Sequence, residues 1–225
     1  MTDAHADTIQ ALQGADHTIG HRPLVVCDVD EVVLKFIEPF KAFLRASGHQ
    51  LLLRTFALKG NIFSLQSGDP VSSEKVEELL TAFYDAQEDW QEPFAEARPT
   101  LMALQDVADV ILLTAMPPRH QPMRQRLLNR FDFSFPLIAS EEPKGKVLST
   151  LFKTAPPALI FVDDMLYNCR SVAENLPDAL AINLLIDDHY RQTAPQTEPP
   201  AIMAASWADT ERLIRNHIKN AYKQA

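Results

Sequence analysis

Ten residues, Leu24-Val25-Val26-Cys27-Asp28-Val29-Asp30-Glu31-Val32-Val33, constrain the fold of this chain more than any other stretch. An unbroken apolar run follows Pro23 and stops at two carboxylates spaced by one residue. A short aliphatic run without alternation has no solvent face, so 24–27 is predicted as a strand covered on both faces of a parallel sheet. The carboxylates then fall at its C-terminal edge, where open α/β sheets bind ligands. Two readings of Asp28 and Asp30 are open at this point: chemistry at the sheet edge, or an acidic turn that caps the next helix.

With 225 residues, 46% of them hydrophobic and 23% charged, the chain can bury a full core as one large domain or one domain with an insertion. The formal net charge of -9 argues against a nucleic-acid binder, since such affinity rests on Lys and Arg neutralising phosphates, and fits a divalent cation partner better. The two cysteines, Cys27 and Cys169, form neither a disulfide framework nor a zinc pattern and read as small buried hydrophobes. No apolar run approaches membrane-spanning length and the polar, acidic N-terminus has no signal-peptide pattern, so the expectation is a cytoplasmic protein without a membrane partner. Residues 1–21, with a weak helical signal around Ile9 and Leu12, read as a loosely docked arm.

After the first strand, Phe36, Phe40 and Phe43 are spaced for a helix over 36–46, with Gly48 as its stop. Residues 51–63 fit either a hairpin or a broken helix. Val76, Leu79, Leu80 and Phe83 then mark an amphipathic helix capped by Ser72. A short helix over 100–106 leads into a second buried strand, 109–114, which ends in the Thr114 hydroxyl. A helix through Met123, Leu127 and Leu128 follows, then a short strand over 135–139. Pro143-Lys144-Gly145-Lys146 opens a helix carried by Val147, Leu148, Leu151 and Phe152. The strand at 158–162 ends in Asp163-Asp164, and a helix through Val172 and Ala173 leads to another strand at 180–186. A Pro-rich connector spans 192–200. Ser206 and Asp209 form a capping box for a last helix with Trp207, Ile214, Ile218 and Tyr222 on one face. Strands alternating with helices indicate a parallel sheet with right-handed crossovers.

All the strand ends of a parallel sheet share one edge, so Asp28, Asp30, Thr114, Lys144 and Asp163-Asp164 can converge on one crevice. Each residue type serves phosphoryl transfer. One carboxylate can attack phosphorus, a second can exchange a proton with the leaving oxygen, and an ammonium with a cation can offset the anionic charge. Hard oxygen ligands at such a site suit magnesium rather than zinc or copper.

In these residues the chain resembles the haloacid dehalogenase superfamily, in particular its Asp-x-Asp phosphatases, over about residues 23–186. Four elements match in order: Asp28-Val29-Asp30-Glu31-Val32-Val33, Leu112-Leu113-Thr114, Lys144 or Lys146, and Phe161-Val162-Asp163-Asp164 with Asn168 following. The resemblance implies an α/β fold, a Rossmann-like parallel sheet with helices on both faces, formed by residues 1–35 and 99–225. It also implies a mostly helical cap over 36–98 that closes on the site and selects the substrate. By the same likeness Asp28 is the nucleophile, Asp30 the general acid and base, Thr114 holds the phosphoryl group and the lysine pairs with it. Asp28, Asp163 and the main-chain carbonyl of Asp30 would ligate Mg2+, with Asp164 and Asn168 in supporting positions. Two departures stand out: Val32 where many relatives have Thr, and the charge of Glu31 where a small residue is common.

Helical geometry favours Lys144 over Lys146, because Lys144 precedes Val147 by three and Leu148 by four and so shares their sheet-facing side. Asp187-Asp188-His189 also follows a strand, but nothing downstream of it resembles the Asn168 helix. The histidines show no metal-ligand pairing and read as solvated or structural; Arg119 and His120, in the loop after Thr114 near the crevice, read as a solvated loop in preference to substrate contacts. Phe40, Phe43 and Phe83 read as core of the insertion. The function that follows is a magnesium-dependent phosphatase acting on a small phosphorylated metabolite through an aspartyl-phosphate. The alternative is a catalytically silent protein of the same fold that binds a phosphorylated ligand or a protein partner. A receiver-type signalling domain is disfavoured by chain order. Dehalogenation is disfavoured by Asp30, since a halide leaving group needs no proton.

Overall fold

The computed structural model describes residues 21–152 and 156–224, so the arm expected at the N-terminus lies almost wholly outside the described residues. Strand β1, Leu24–Cys27, has the predicted bounds, and its side chains alternate between two apolar layers. Val25 and Cys27 join a cluster with Leu101, Leu127, Trp207 and Ile214, while Leu24 and Val26 join another with Val147, Leu148, Leu166 and Val172. Helices therefore cover both faces of the sheet, which is why the strand needs no polar alternation. Both cysteines are buried and free, as expected.

The other strands of this sheet are β4 (Asp109–Thr114), β5 (Leu137–Ala139), β6 (Leu159–Asp163), β7 (Leu180–Leu184) and β8 (Ile202–Ala204). They pair in the order β5-β4-β1-β6-β7-β8, and every pair is parallel. The order reverses at β1, so the crossovers leave β1 and β6 towards opposite sides and open a crevice between their C-terminal ends. Cys27 pairs with Leu112 on one side and with Val162 on the other, so Asp28 comes within one residue of the ends of both neighbours.

The helices are α1 (Ile37–Ala46), α2 (Ser73–Asp85), α3 (Gln87–Trp90), α4 (Ala97–Leu104), α5 (Gln121–Arg130), α6 (Lys144–Leu151), α7 (Leu166–Asn175), α8 (Asp188–Thr193) and α9 (Trp207–Gln224). Helix α1 stops at Ser47, and Gly48 follows in the left-handed region at φ 77°, the geometry that favours glycine after a helix. The Ser72 hydroxyl caps α2 by accepting from the Lys75 N–H at 3.2 Å. The segment with two open readings is a hairpin: β2 (His49–Leu51) pairs antiparallel with β3 (Ile62–Ser64), and 52–61 is the loop between them. Helix α4 begins at Ala97, three residues before the predicted start, and its Ala97, Leu101 and Leu104 face the main sheet.

Strand β8 and helix α8 were not expected, both being short and next to the Pro-rich connector. Tyr222, expected on the buried face of the last helix, is 59% exposed, and Ala221 beside it packs against the core instead. Among the described residues no helix is long and apolar enough to cross a membrane.

The segment between β1 and α4 has its own apolar centre. Phe36, Phe40, Phe43 and Phe83 pack with ring centroids 5.1 to 6.3 Å apart, so the aromatic positions do serve as core. Leu185 and Tyr190, which follow β7, complete this cluster and tie the segment to the sheet edge.

Candidate active site

The site forms where β1, β4 and β6 end. Asp28 continues β1 and donates its N–H to the Val162 carbonyl at 2.8 Å, which fixes the carboxylate over the crevice. Lys144 opens α6 directly after Pro143 and is 1% exposed. Its Nζ lies 2.6 Å from Asp28 Oδ1 and 2.6 Å from Asp163 Oδ2. Lys146, one residue beyond the neighbouring glycine, is exposed and pairs with Glu142 at 2.7 Å. Gly145 makes the inward placement possible: a Cβ there would lie 2.0 Å from the Ser171 carbonyl oxygen, so only glycine lets α6 approach α7 this closely.

Asp163 is held from several directions. Its Oδ1 accepts from the Met165 N–H at 2.8 Å and from Asn168 Nδ2 at 3.0 Å, and its Oδ2 accepts from Lys144. Asn183 Nδ2 donates to the main-chain carbonyls of Asp163 and Asp164, which pins the turn after β6. Asp164 Oδ2 accepts from the Tyr190 hydroxyl at 3.2 Å. One carboxylate oxygen from each of Asp28, Asp163 and Asp164 lies within 4.8 Å of the others, and all three residues are buried.

Burial pushes the Asp28 carboxyl up to about 7, with Lys144 drawing it down and Asp163 driving it up. Burial likewise raises Asp164, with Asp163 and Asp28 adding to the rise. For Lys144 burial works against the ammonium, and Asp163 and Asp28 outweigh it, so its pKa is raised. Three carboxylates around one ammonium leave excess negative charge in a buried space. A hard divalent cation answers that deficit, and the donor set is all oxygen, so these residues fit magnesium.

Asp30 lines the same cavity from the other side of the turn. Its Oδ1 accepts from Arg124 Nη1 at 2.9 Å and from Gln91 Nε2 at 2.9 Å, while its Oδ2 accepts nothing among the described residues. Arg124 is fully buried, and its guanidinium also donates to the side-chain oxygens of Gln87 and Gln91. This clamp joins α5 to α3 across the site, and sequence reasoning missed it. A signal existed, because Arg124 precedes Leu127 by three and Leu128 by four, the same spacing that put Lys144 on a buried face.

Neither Asp28 nor Asp30 caps the following helix. Glu31 does so instead: its Oε2 accepts from the N–H groups of Phe36 and Ile37 at 2.9 and 2.8 Å, and its backbone takes the left-handed region at φ 59° to reach them. Burial raises the Glu31 carboxyl, held back by those two N–H groups. The charge that departed from the expected pattern is thus a remote helix cap.

Thr114, buried at the end of β4, faces the same cavity of about 220 Å³, whose floor is formed by Asp28, Asp30, Thr114, Asp164 and Asn168. The remaining candidates lie elsewhere. Asp187 caps α8 by accepting from the Tyr190 N–H at 2.7 Å, and Asp188 pairs with Arg191, so that carboxylate pair is structural. His120, read as part of a solvated loop, is 4% exposed: it packs 5.6 Å from the Tyr84 ring with Nδ1 3.2 Å from Asp85. Its own burial lowers its pKa. Arg119 is exposed as expected, with Nη2 3.5 Å from the Thr81 hydroxyl.

No family model and no curated protein sequence matches the chain. Solved structures do. A haloacid dehalogenase-like protein of unknown function from Agrobacterium tumefaciens superposes with a TM-score of 0.59 at 14% identity, covering 86% of this chain and 97% of its own. A protein from Clostridium acetobutylicum described as a predicted phosphatase gives 0.57 at 14% identity, covering 87% and 99%. A haloacid dehalogenase family hydrolase from Deinococcus radiodurans, solved with bound phosphate and sodium, gives 0.56 at 14% identity, covering 88% and 97%. With this sheet order, this crevice and these superpositions, the chain has the fold of the haloacid dehalogenase-like proteins.

Proposed function

We propose that the chain is a magnesium-dependent phosphatase that hydrolyses a small phosphate monoester through a phosphorylated Asp28. The observation that carries this reading is the pairing of two carboxylates on one cavity: Asp28, buried against Lys144, and Asp30, clamped through one oxygen with the other unengaged. The phosphate held by the Deinococcus protein of the same fold supports the choice of ligand.

Asp28 attacks phosphorus through a carboxylate oxygen. A P–O bond forms, the ester P–O bond breaks, and the leaving alkoxide takes a proton from Asp30. Asp30, now a carboxylate, then removes a proton from water. The hydroxide attacks the phospho-aspartate, the acyl phosphate P–O bond breaks, and inorganic phosphate leaves with Asp28 restored. Thr114 donates a hydroxyl hydrogen bond to a phosphoryl oxygen, and Lys144 offsets charge at the nucleophile. Asp28, Asp163 and the Asp30 carbonyl would hold magnesium, which when bound polarises the phosphoryl group as a Lewis acid, and Asp164, expected only in a supporting position, lies close enough to Asp28 and Asp163 to offer a further oxygen. Segment 36–98 serves as the cap that excludes water and selects the alcohol.

Purified protein should release phosphate from an activated aryl phosphate with magnesium, lose that activity on chelation and regain it when magnesium is restored. Full activity in exhaustively chelated buffer would count against the site.

A further inference from the structure

Besides its carboxylate floor, the cavity is lined by the apolar side chains of Phe36, Ile37, Leu53, Phe56, Leu58 and Met165. From this wall we infer that the leaving group is a small, uncharged and largely apolar alcohol, so that the substrate carries no charge beyond its phosphate. The inference rests on the phosphatase reading above and names its substrate class.

Among the described residues, the cavity lining offers an anionic leaving group no cation to pair with. No Lys, Arg or His is among the residues that line the cavity. The cations close to lining residues in sequence, or bonded to them, have partners: Lys144 with Asp28 and Asp163, Arg124 with Asp30 and the two glutamines, Lys35 with Glu92, Lys59 with Glu77, Arg191 with Asp188, and Arg119 with the Thr81 hydroxyl. The Arg54 guanidinium lies over the Phe63 ring, 4.8 Å from its centroid, and Phe63 is not a lining residue. A carboxylate or second phosphate on the alcohol would instead face Asp30, Glu31 and Asp164, and would lose its hydration without an ion pair in return.

A cationic leaving group fares no better. Of the lining carboxylates beyond the proposed metal set, Glu31 is spent on two helix N–H groups, and Asp30 is held through Oδ1 by its arginine and glutamine, which leaves only the Oδ2 that serves the leaving-group proton. The rings do not form a cage for an ammonium, which needs open π faces. Phe56 and Tyr190 stack on each other at 4.4 Å, Phe36 stacks on Phe40 at 5.3 Å, and the Tyr84 ring has the Arg124 guanidinium at 5.9 Å. Apolar side chains with engaged faces leave contact and water exclusion as the source of binding energy. Size points the same way: about 220 Å³, in a cavity that opens to solvent, lies below the roughly 300 to 1,000 Å³ common for drug-sized ligands and suits a phosphoryl group with a small alcohol.

The test compares kcat/KM for n-butyl phosphate, 3-aminopropyl phosphate and 3-(phosphonooxy)propanoate, three esters of similar size that differ in charge, with an activated aryl phosphate as the reference. The butyl ester should exceed each charged ester by at least tenfold. Leu53→Lys, a change in the hairpin loop, should narrow or reverse its lead over the carboxylate ester. If the aryl ester turns over but either charged ester equals or exceeds the butyl ester, the inference is wrong and the phosphatase reading stands. If no ester, the aryl one included, turns over, both fall together.

Discussion

The two sides of the cavity are held in opposite ways. Beneath the floor, Lys144 meets Asp28 and Asp163 at 2.6 Å, and Asp163 accepts further bonds from Met165 and Asn168, so the floor is held by directional bonds in a buried space. On the wall, Leu53 and Phe56 pack against the aromatic cluster that holds Phe36, and all three line the cavity. Directional bonds leave little freedom, since removing one partner strands a buried charge, whereas apolar contact depends on volume and accepts exchange at constant volume. The floor is thus suited to one reaction centre, and the wall to selection that can be retuned.

Two stability measurements test this contrast. Lys144→Met should cost about 3 to 5 kcal/mol, because it leaves Asp28 and Asp163 buried without their ammonium. A urea unfolding midpoint in metal-free buffer would show it, and an unchanged midpoint would mean that the floor is not held by its ion pairs. Phe56→Leu on the wall should cost less than about 1.5 kcal/mol in the same assay, since most of the apolar volume is kept. A loss as large as that for Lys144→Met would erase the distinction.

The same contrast explains what could be read from sequence. The floor residues sit at strand ends and helix starts, where local pattern fixes their place: β1 and β4 have their predicted bounds, and the spacing of Lys144 to Val147 and Leu148 separates it from Lys146. The wall comes from a hairpin loop, the start of α1 and the turn after β6, whose meeting depends on tertiary packing with no periodic signature. Arg124 and Tyr190 fall between these cases. Each is buried by a partner far along the chain, Asp30 for Arg124 and Asp164 for Tyr190, and no local window contains both halves of the pair. His120 shows the reverse error: a polar residue in a short loop reads as solvated, yet Tyr84 and Asp85 of α2 cover it.

The central claim is that Asp28 carries the phosphoryl group while Asp30 moves the proton, and rapid quenching of Asp30→Asn protein tests it most directly. This variant should turn over roughly 10²- to 10⁴-fold more slowly, yet an activated aryl phosphate needs little proton transfer to its leaving oxygen and should still phosphorylate the enzyme. After acid quench and proteolysis, mass spectrometry should find phosphate on Asp28, and Asp28→Asn protein treated alike should carry none. Phosphate on Asp163, Asp164 or Asp187, or no covalent phosphate while the aryl ester is being hydrolysed, would contradict the assignment.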